Sequence, residues 1–134
     1  MRFEKDSDLK REEVAIKTFC SEFNLSYLKL GVHDVDFKVY NGDKIAYVEV
    51  KGRNRIYEYS FPLPVAARKM LKLVDKESPS IILWDCLDCI IYGNTKDIVG
   101  TVRVGGRKPR EGSHNDNELM LYYDNQVNLK IIFK

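Results

Sequence analysis

Two carboxylates and one lysine are the residues of this chain whose spacing predicts chemistry. Glu49 and Lys51 lie two positions apart in the apolar-alternating segment 45–51, and Asp36 lies in the similar segment 35–40. Residues two apart in a β-strand point to the same face, so Glu49 and Lys51 project together. Carboxylate oxygens suit Mg²⁺ and Mn²⁺, and a nearby lysine can neutralise a phosphate. The three residues therefore predict a divalent-metal site that acts on phosphate.

A hairpin is predicted to bring these residues together. Segment 41–44 reads Asn-Gly-Asp-Lys, which is a strong turn signal between two strands. With a four-residue loop, Asp36 faces Glu49. With a two-residue turn, Asp36 faces Tyr47 and Glu49 lies on the diagonal. Both registers place Asp36, Glu49 and Lys51 on one face, within about 5–8 Å of each other.

The metal would be held by oxygen atoms of these strands. Asp36 and Glu49 would supply carboxylates, the backbone carbonyl of Val50 a third oxygen, and Asp34 is a reserve ligand if its strand starts early. A bound divalent ion lowers the pKa of water, and Lys51 would orient the attacking water or neutralise charge on the phosphate. The alternative is that these charges lie on a solvated sheet face and bind nothing.

The bulk properties exclude several classes of protein. A length of 134 residues predicts one domain, and a net charge of +2 is too small to show nucleic-acid binding without local basic patches. No segment approaches the ~20 apolar residues of a membrane span, and the N-terminus lacks the apolar core of a secretion signal. With only three cysteines, we expect no disulfide framework, a cytoplasmic location, and buried thiols at Cys86 and Cys89 rather than a metal site.

Hydrophobic periodicity predicts an α/β sandwich with a mixed central sheet. The order is a helix, three strands, a helix and one or two strands, over residues 8–23, 26–30, 35–40, 45–51, 64–76, 80–84 and 89–92. Weaker patterns follow: strands over 98–104 and 127–133, a flexible basic loop over 105–117 and a short element over 118–123. We therefore expect a single domain over 1–134, with its core at about 8–92 and a C-terminal extension at about 93–134.

The motif resembles the signature of the PD-(D/E)XK nuclease superfamily. The residues that carry the resemblance are Val35-Asp36 and, across a hairpin, Glu49-Val50-Lys51. The superfamily core, a restriction-endonuclease-like fold, has the α-β-β-β-α-β order predicted above. The spacing of the motif and its Glu-Val-Lys-Gly sequence are most similar to those of small archaeal Holliday-junction resolvases and phage-type VRR-NUC domains. The resemblance implies that Asp36 and Glu49 are metal ligands, that Lys51 is the catalytic lysine, and that Mg²⁺ or Mn²⁺ is the cofactor.

The resemblance extends to the two helices, with departures. Members of these groups carry a glutamate on the first helix, which implies a catalytic role for Glu12. Glu13 is the close alternative, and both fit a solvated helix as well. Val35 replaces the proline of the family name. The glutamine often found on the second helix is absent, and Arg68 or Lys69 stands there, as a phosphate contact or as part of a solvated helix face.

Two basic segments are candidates for nucleic-acid binding. Arg53 and Arg55 follow Lys51 and are predicted to contact phosphates, which position a nucleic acid without reading its sequence. Tyr57 and Tyr59 interleave with them and would stack on unpaired bases, or else pack on the core. The second segment would be an arm that orders on nucleic acid, or a plain solvated loop. Its basic residues are Arg103, Arg107, Lys108 and Arg110.

The sequence thus predicts a Mg²⁺- or Mn²⁺-dependent DNA endonuclease. The resemblance implies branched or structured DNA as the substrate, in recombination, repair or mobile-element biology such as that of phages. A homodimer would place two active sites on two strands. Two alternatives stay open: a non-catalytic DNA-binding or assembly module with the same fold, and an RNA-directed nuclease, because metal-assisted hydrolysis does not itself distinguish the 2′-OH.

Overall fold

The computed structural model describes residues 6–106 and 117–134 of the chain. Its helices are α1 (Asp6–Phe23) and α2 (Ala67–Val74), with a short 3-10 turn over Tyr57–Tyr59. Its strands are β1 (Ser26–Lys29), β2 (Phe37–Asn41), β3 (Lys44–Gly52), β4 (Leu63–Ala66), β5 (Ser80–Asp85), β6 (Cys89–Asn94), β7 (Thr101–Gly106), β8 (Asn117–Tyr123) and β9 (Lys130–Phe133). No helix in these two ranges is long and apolar enough to cross a membrane.

The main sheet has six strands in the order β1-β2-β3-β5-β6-β9. β3 and β5 are parallel, and the other neighbouring pairs are antiparallel. Parallel neighbours need a long crossover, and residues 53–79, which contain β4 and α2, provide it here. The sheet is therefore mixed, as the sequence predicts.

The two faces of the main sheet are covered by different helices. Helix α1 packs on the face of Val48 and Val50, through the buried residues Ala15, Ile16, Phe19 and Cys20. Helix α2 and strand β4 cover the other face, in a core cluster that includes Ile82 and Trp84 of β5. Glu49 and Lys51 alternate with Val48 and Val50, so they lie on the α2 face.

A second, three-stranded sheet in the order β4-β8-β7 lies beside α2 and was not predicted. The prediction of a helix beginning at residue 64 was wrong, because Leu63–Ala66 pairs with β8 and α2 begins at Ala67. Leu63 and Val65 are fully buried in that pairing. Residues beyond 93 supply β7 and β8 to this sheet and β9 to the main sheet. Residues 107–116 of the predicted flexible loop lie outside the described ranges.

The β2–β3 hairpin has the register that was predicted for a four-residue loop: Phe37 pairs with Val48, which places Asp36 opposite Glu49. The prediction that a two-residue turn would place Asp36 opposite Tyr47 was wrong, because Asn41 pairs with Lys44 and extends the same register to a two-residue turn. Gly42 in that turn has a φ of 59°, in the left-handed region that glycine tolerates best. Val35 departs from the predicted alternation, because it precedes the strand and packs in the α2-face cluster.

Helix α1 is joined to the end of β5 by a charged cluster, here called the Asp85 anchor (Arg11, Asp85 and Lys134). Arg11 Nε donates to Asp85 Oδ2 at 2.9 Å, and the guanidinium also donates to the Asp85 carbonyl at 2.8 Å. Lys134 Nζ lies 2.8 Å from Asp85 Oδ1. Asp85 is only 4% exposed, so both of its oxygens are paired with cations inside the protein.

Candidate active site

Asp36 and Glu49 form a buried pair at the start of β2 and the middle of β3. Asp36 is 9% exposed and Glu49 is 3% exposed. The Asp36 N–H donates to Glu49 Oε1 at 3.2 Å, and the Val50 N–H donates to Asp36 Oδ2 at 2.8 Å. A solvated sheet face therefore does not describe these two carboxylates, because α2 and its surroundings cover them.

Burial gives the Glu49 carboxyl an unusual proton affinity. Its pKa is raised from 4.5 to about 7, chiefly because burial disfavours the charged form and secondly because Asp36 carries a like charge. The positive charges of Lys69 and Lys51 and the N–H of Asp36 offset this only in part. The charged form of Glu49 is therefore disfavoured in this site, mainly by burial.

Lys51 lies on the same face as Glu49, two residues along β3. Burial lowers the pKa of its ammonium, although Glu49 opposes that change, and the charge of Lys69 lowers the pKa further. Arg68 contributes to the same effect, and its Nε also pairs with Glu118 Oε2 of β8 at 2.9 Å. Lys69 and Arg68 in the first turn of α2 thus lower the pKa of Lys51 through their positive charge.

Glu12 reaches the site through a lysine that sequence reasoning missed. Lys29 Nζ lies 3.1 Å from Glu12 Oε2 and 3.5 Å from Asp36 Oδ1. The same ammonium lies 4.9 Å from the centre of the Phe37 ring. Glu13 points elsewhere on α1 and contacts Lys17, with 3.4 Å between Nζ and Oε1. The structure therefore connects Glu12, and not Glu13, to Asp36.

The register between β1 and β2 indicates why Lys29 lies near the site. Lys29 pairs with Phe37 across β1 and β2, so its side chain lies on the α1 face, where Glu12 also lies. Asp36 precedes β2 and is therefore reached by Glu49 from one face and by Lys29 from the other. The lysine could have been found by extending the hairpin register one strand further, to residues 26–29.

The donor set fits a hard divalent cation. In the described part of the chain no group of three or more His, Cys, Asp or Glu side chains is arranged to hold a metal. The Glu49 carboxylate accepts the backbone N–H of Asp36, and one or two carboxylates with water and substrate phosphate suffice for Mg²⁺. A divalent cation bound beside Asp36 and Glu49 would favour the charged form of Glu49, which burial and the charge of Asp36 disfavour.

The comparisons with known proteins bear on the fold. No protein-family model matches the sequence, and no curated protein matches it. Among solved structures, the chain is similar to Hjc, a Holliday junction resolvase from the archaeal hyperthermophile Archaeoglobus fulgidus. The TM-score is 0.52 at 12% identity, over 84% of this chain and 86% of that chain. The chain has the restriction-endonuclease-like fold. The fold predicted from the order of its elements is thereby confirmed.

The first basic segment leads away from β3 and packs against the body of this restriction-endonuclease-like domain. Arg53 Nε donates to the Ser60 carbonyl at 3.0 Å, and Arg55 donates to the Tyr59 carbonyl at 3.4 Å. The half-buried Tyr57 ring packs edge-on against neighbouring aromatic rings, at centroid distances of 5.6 and 5.8 Å. These residues therefore hold their own loop in place, and their contact with nucleic acid stays a prediction.

Among the remaining candidates, the described ones have partners of their own. Arg103 stacks on Tyr122, 4.2 Å from the ring centre, while Arg107, Lys108 and Arg110 lie outside the described residues. Asp34 pairs with Lys76, with 2.6 Å between Oδ1 and Nζ. Cys86 and Cys89 are buried, as predicted, and burial raises the pKa of both thiols, that of Cys89 to about 12.

Proposed function

We propose that this protein is a Mg²⁺- or Mn²⁺-dependent DNA endonuclease that hydrolyses phosphodiester bonds. One observation carries the proposal: Asp36 and Glu49 are buried side by side, and Lys51 lies on the same strand face. Burying two like charges together is costly unless a cation binds them. A folded protein gains nothing in stability from this pair alone, so a role in binding is the better account of it.

The roles of the residues follow from their chemistry. Asp36 and Glu49 would hold the ion, with the Val50 carbonyl as a further oxygen. A divalent ion bound there would supply Lewis-acid stabilisation of the phosphate and a water of lowered pKa. Lys51, whose own pKa burial lowers, would orient the attacking water or neutralise charge that develops on the phosphate. Glu12 would act as the first-helix acid, from its place beside Lys29.

Branched DNA is the substrate class that we propose, in recombination or repair. The Hjc neighbour is a Holliday junction resolvase by name, and the fold it shares supports the resolvase group over the phage-type one. Lys69 and Arg68 at the start of α2, together with Arg53, Arg55 and Tyr57, would contact the phosphate backbone or unpaired bases. Arg107, Lys108 and Arg110 would extend that surface. A homodimer would align two sites on a symmetric junction, and a DNA substrate implies action inside the cell.

A cleavage panel tests the proposal. Single-stranded, duplex, flap, splayed and four-way DNA, and a matched RNA, are incubated with the protein and Mg²⁺ or Mn²⁺. We expect metal-dependent cleavage, strongest on a branched DNA, that is lost in Asp36→Ala, Glu49→Ala and Lys51→Ala. Asp43→Ala, which removes an exposed carboxylate at the turn of the same hairpin, is the matched control and should cleave normally.

Three other outcomes would redirect the proposal. Normal cleavage by all three site variants would exclude this site as the active centre. Binding to branched DNA without cleavage, across several divalent metals, would favour the non-catalytic module. Preferential cleavage of RNA would assign the site to a ribonuclease. Sedimentation of the protein alone and on a four-way junction would test the homodimer.

A further inference from the structure

Lys29 contacts the Asp36 oxygen that a metal ion would need. Asp36 Oδ2 accepts the Val50 N–H at 2.8 Å and so faces the backbone of β3. The other oxygen, Oδ1, is the one that lies 3.5 Å from Lys29 Nζ. The same ammonium lies 3.1 Å from Glu12 Oε2. Lys29 therefore bridges two acidic residues at the point where the proposed ion would enter.

An ammonium and a divalent ion do not share this position. Mg²⁺ lies about 2.1 Å from its ligand oxygens. An ammonium that stays in contact with Asp36 Oδ1 would then be held a few ångströms from a double positive charge, in a site that water screens poorly. The Lys29 side chain is 42% exposed and lies at the end of an edge strand, so it can leave the site for solvent at little cost.

We propose that Lys29 is a positioning residue that competes with the divalent metal. Its ammonium holds Glu12 and Asp36 in place while the site is metal-free, and it gives way when the metal binds. The inference rests on the proposed function, because it takes Asp36 as a metal ligand. The inference also predicts the direction in which metal affinity changes when Lys29 is removed. Removing a residue that merely orients a ligand weakens metal binding, whereas removing a competitor strengthens it.

Direct metal binding tests the inference without any measurement of cleavage. Mn²⁺ is titrated calorimetrically into the full chain, without DNA, for the wild type and for Lys29→Met. We expect Lys29→Met to bind Mn²⁺ about three- to tenfold more tightly, the range set by the strength of a partly exposed ion pair. Lys130→Met removes a lysine from β9, the opposite edge strand of the same sheet, and should leave the affinity unchanged. Lys69→Met controls for charge that acts at longer range and should give a smaller gain.

Thermal unfolding supplies a second readout. Because Lys29 stabilises only the metal-free site, Lys29→Met should melt at a lower temperature than the wild type in the presence of a chelator. That difference should disappear in saturating Mn²⁺. If Lys29→Met does not fold, Lys29→Gln, which removes the charge and keeps much of the side chain, is measured in its place.

The outcomes separate this inference from the proposed function. Unchanged or weaker Mn²⁺ binding by the Lys29 variant, with binding abolished in Asp36→Asn, would overturn the competitor role and leave the metal site in place. If Lys69→Met gained as much Mn²⁺ affinity as Lys29→Met, the gain would come from long-range charge, and the competitor role of Lys29 would also be overturned. A wild type that binds no Mn²⁺ would overturn both the competitor role and the metal-dependent nuclease.

Discussion

Two buried acidic regions in the described part of the chain differ in whether cations pair directly with their carboxylates. Asp85 and Glu49 are similarly buried, at 4% and 3% exposure. Asp85 has a cation at each oxygen, with Arg11 Nε at 2.9 Å and Lys134 Nζ at 2.8 Å. Glu49 makes no ion pair within the described residues and lies instead beside a second carboxylate, Asp36. The Asp85 carboxylate is thus paired directly with cations, whereas the Glu49 carboxylate is not.

Under the proposed function, this difference would separate a structural carboxylate from a metal-binding one. The Asp85 anchor is complete without any ligand, so its charges serve to join α1, β5 and the end of the chain. At the Asp36–Glu49 pair, Asp36 is paired with the partly exposed Lys29 and Glu49 has no direct cationic partner among the described residues, so a divalent cation bound there would offset the cost of burying the two carboxylates. Comparing the two regions by substitution therefore tests the functional assignment more sharply than substitution at either region alone.

Catalysis should show the largest contrast. Glu49→Gln keeps the shape of the side chain and removes its charge, so we expect metal-dependent cleavage to fall about a thousandfold, or about 4 kcal/mol in the activation barrier. Asp85→Asn should keep nearly normal turnover per folded molecule. Initial rates on the preferred substrate of the cleavage panel, normalised to the folded fraction, decide this. Equal losses in the two variants would remove the distinction between the regions.

Stability should show the reverse contrast at the Asp85 anchor. Asp85→Asn weakens charged hydrogen bonds to Arg11 and Lys134, and we expect the free energy of unfolding to fall by about 2 kcal/mol. The cost is moderate because both cations are partly exposed and can turn to water. Urea unfolding in a chelator at neutral pH measures it, with Asp88→Asn, in the neighbouring β5–β6 turn, as a comparison.

The pH dependence of stability should identify Glu49. Its pKa is higher in the folded protein than the ordinary value, so the stability that its protonated form provides is complete below about pH 4.5. That stability is lost as the pH rises through about 7. In metal-free protein, Glu49→Gln should therefore match the wild type at acidic pH and exceed it by about 3 kcal/mol above pH 8. A constant difference between the two proteins at all pH values would contradict the raised pKa.

The smallest effect is expected where the two regions meet along β3. Gly52 follows Lys51, and a Cβ at Gly52 would lie 2.9 Å from a terminal nitrogen of Arg11. Gly52→Ala should displace that guanidinium and cost up to about 1 kcal/mol, since a flexible side chain can adjust. Chemical denaturation detects this change. Gly52→Ala should cleave DNA at a nearly normal rate, because Glu49 is unchanged. A thousandfold loss of cleavage would contradict this expectation.

The hairpin and the order of elements could be predicted from the sequence because they depend on local signals. The two-residue alternation and the Asn-Gly turn place Asp36, Glu49 and Lys51 on one face in either register. The choice between the registers, by contrast, required the actual backbone of the turn. The start of α2 was mispredicted, because pairing of Leu63–Ala66 with a strand more than fifty residues later overrides local helical spacing.

The electrostatic character of the site could not be predicted from the sequence. Burial of Glu49 depends on α2 and β4, which follow β3 in the chain and pack against the same face of the sheet. The strand register could have pointed to Lys29, but its contact with Glu12 and the Asp85 anchor depend on charged residues of separate elements, which leave no periodic signal. Only the tertiary structure shows which carboxylates are paired directly with cations and which are not.

The sequence order of Arg11 and Glu12 has a consequence for how α1 lies on the sheet. These neighbours have different partners, since Arg11 contacts Asp85 and Glu12 contacts Lys29. Successive residues of an α-helix are turned by about 100°, so rotating the helix about its own axis would separate both pairs at once. The order of the two residues therefore fixes how the helix is rotated on the sheet. If they were exchanged, a glutamate would face Asp85 and an arginine would face Lys29, and both contacts would become repulsive.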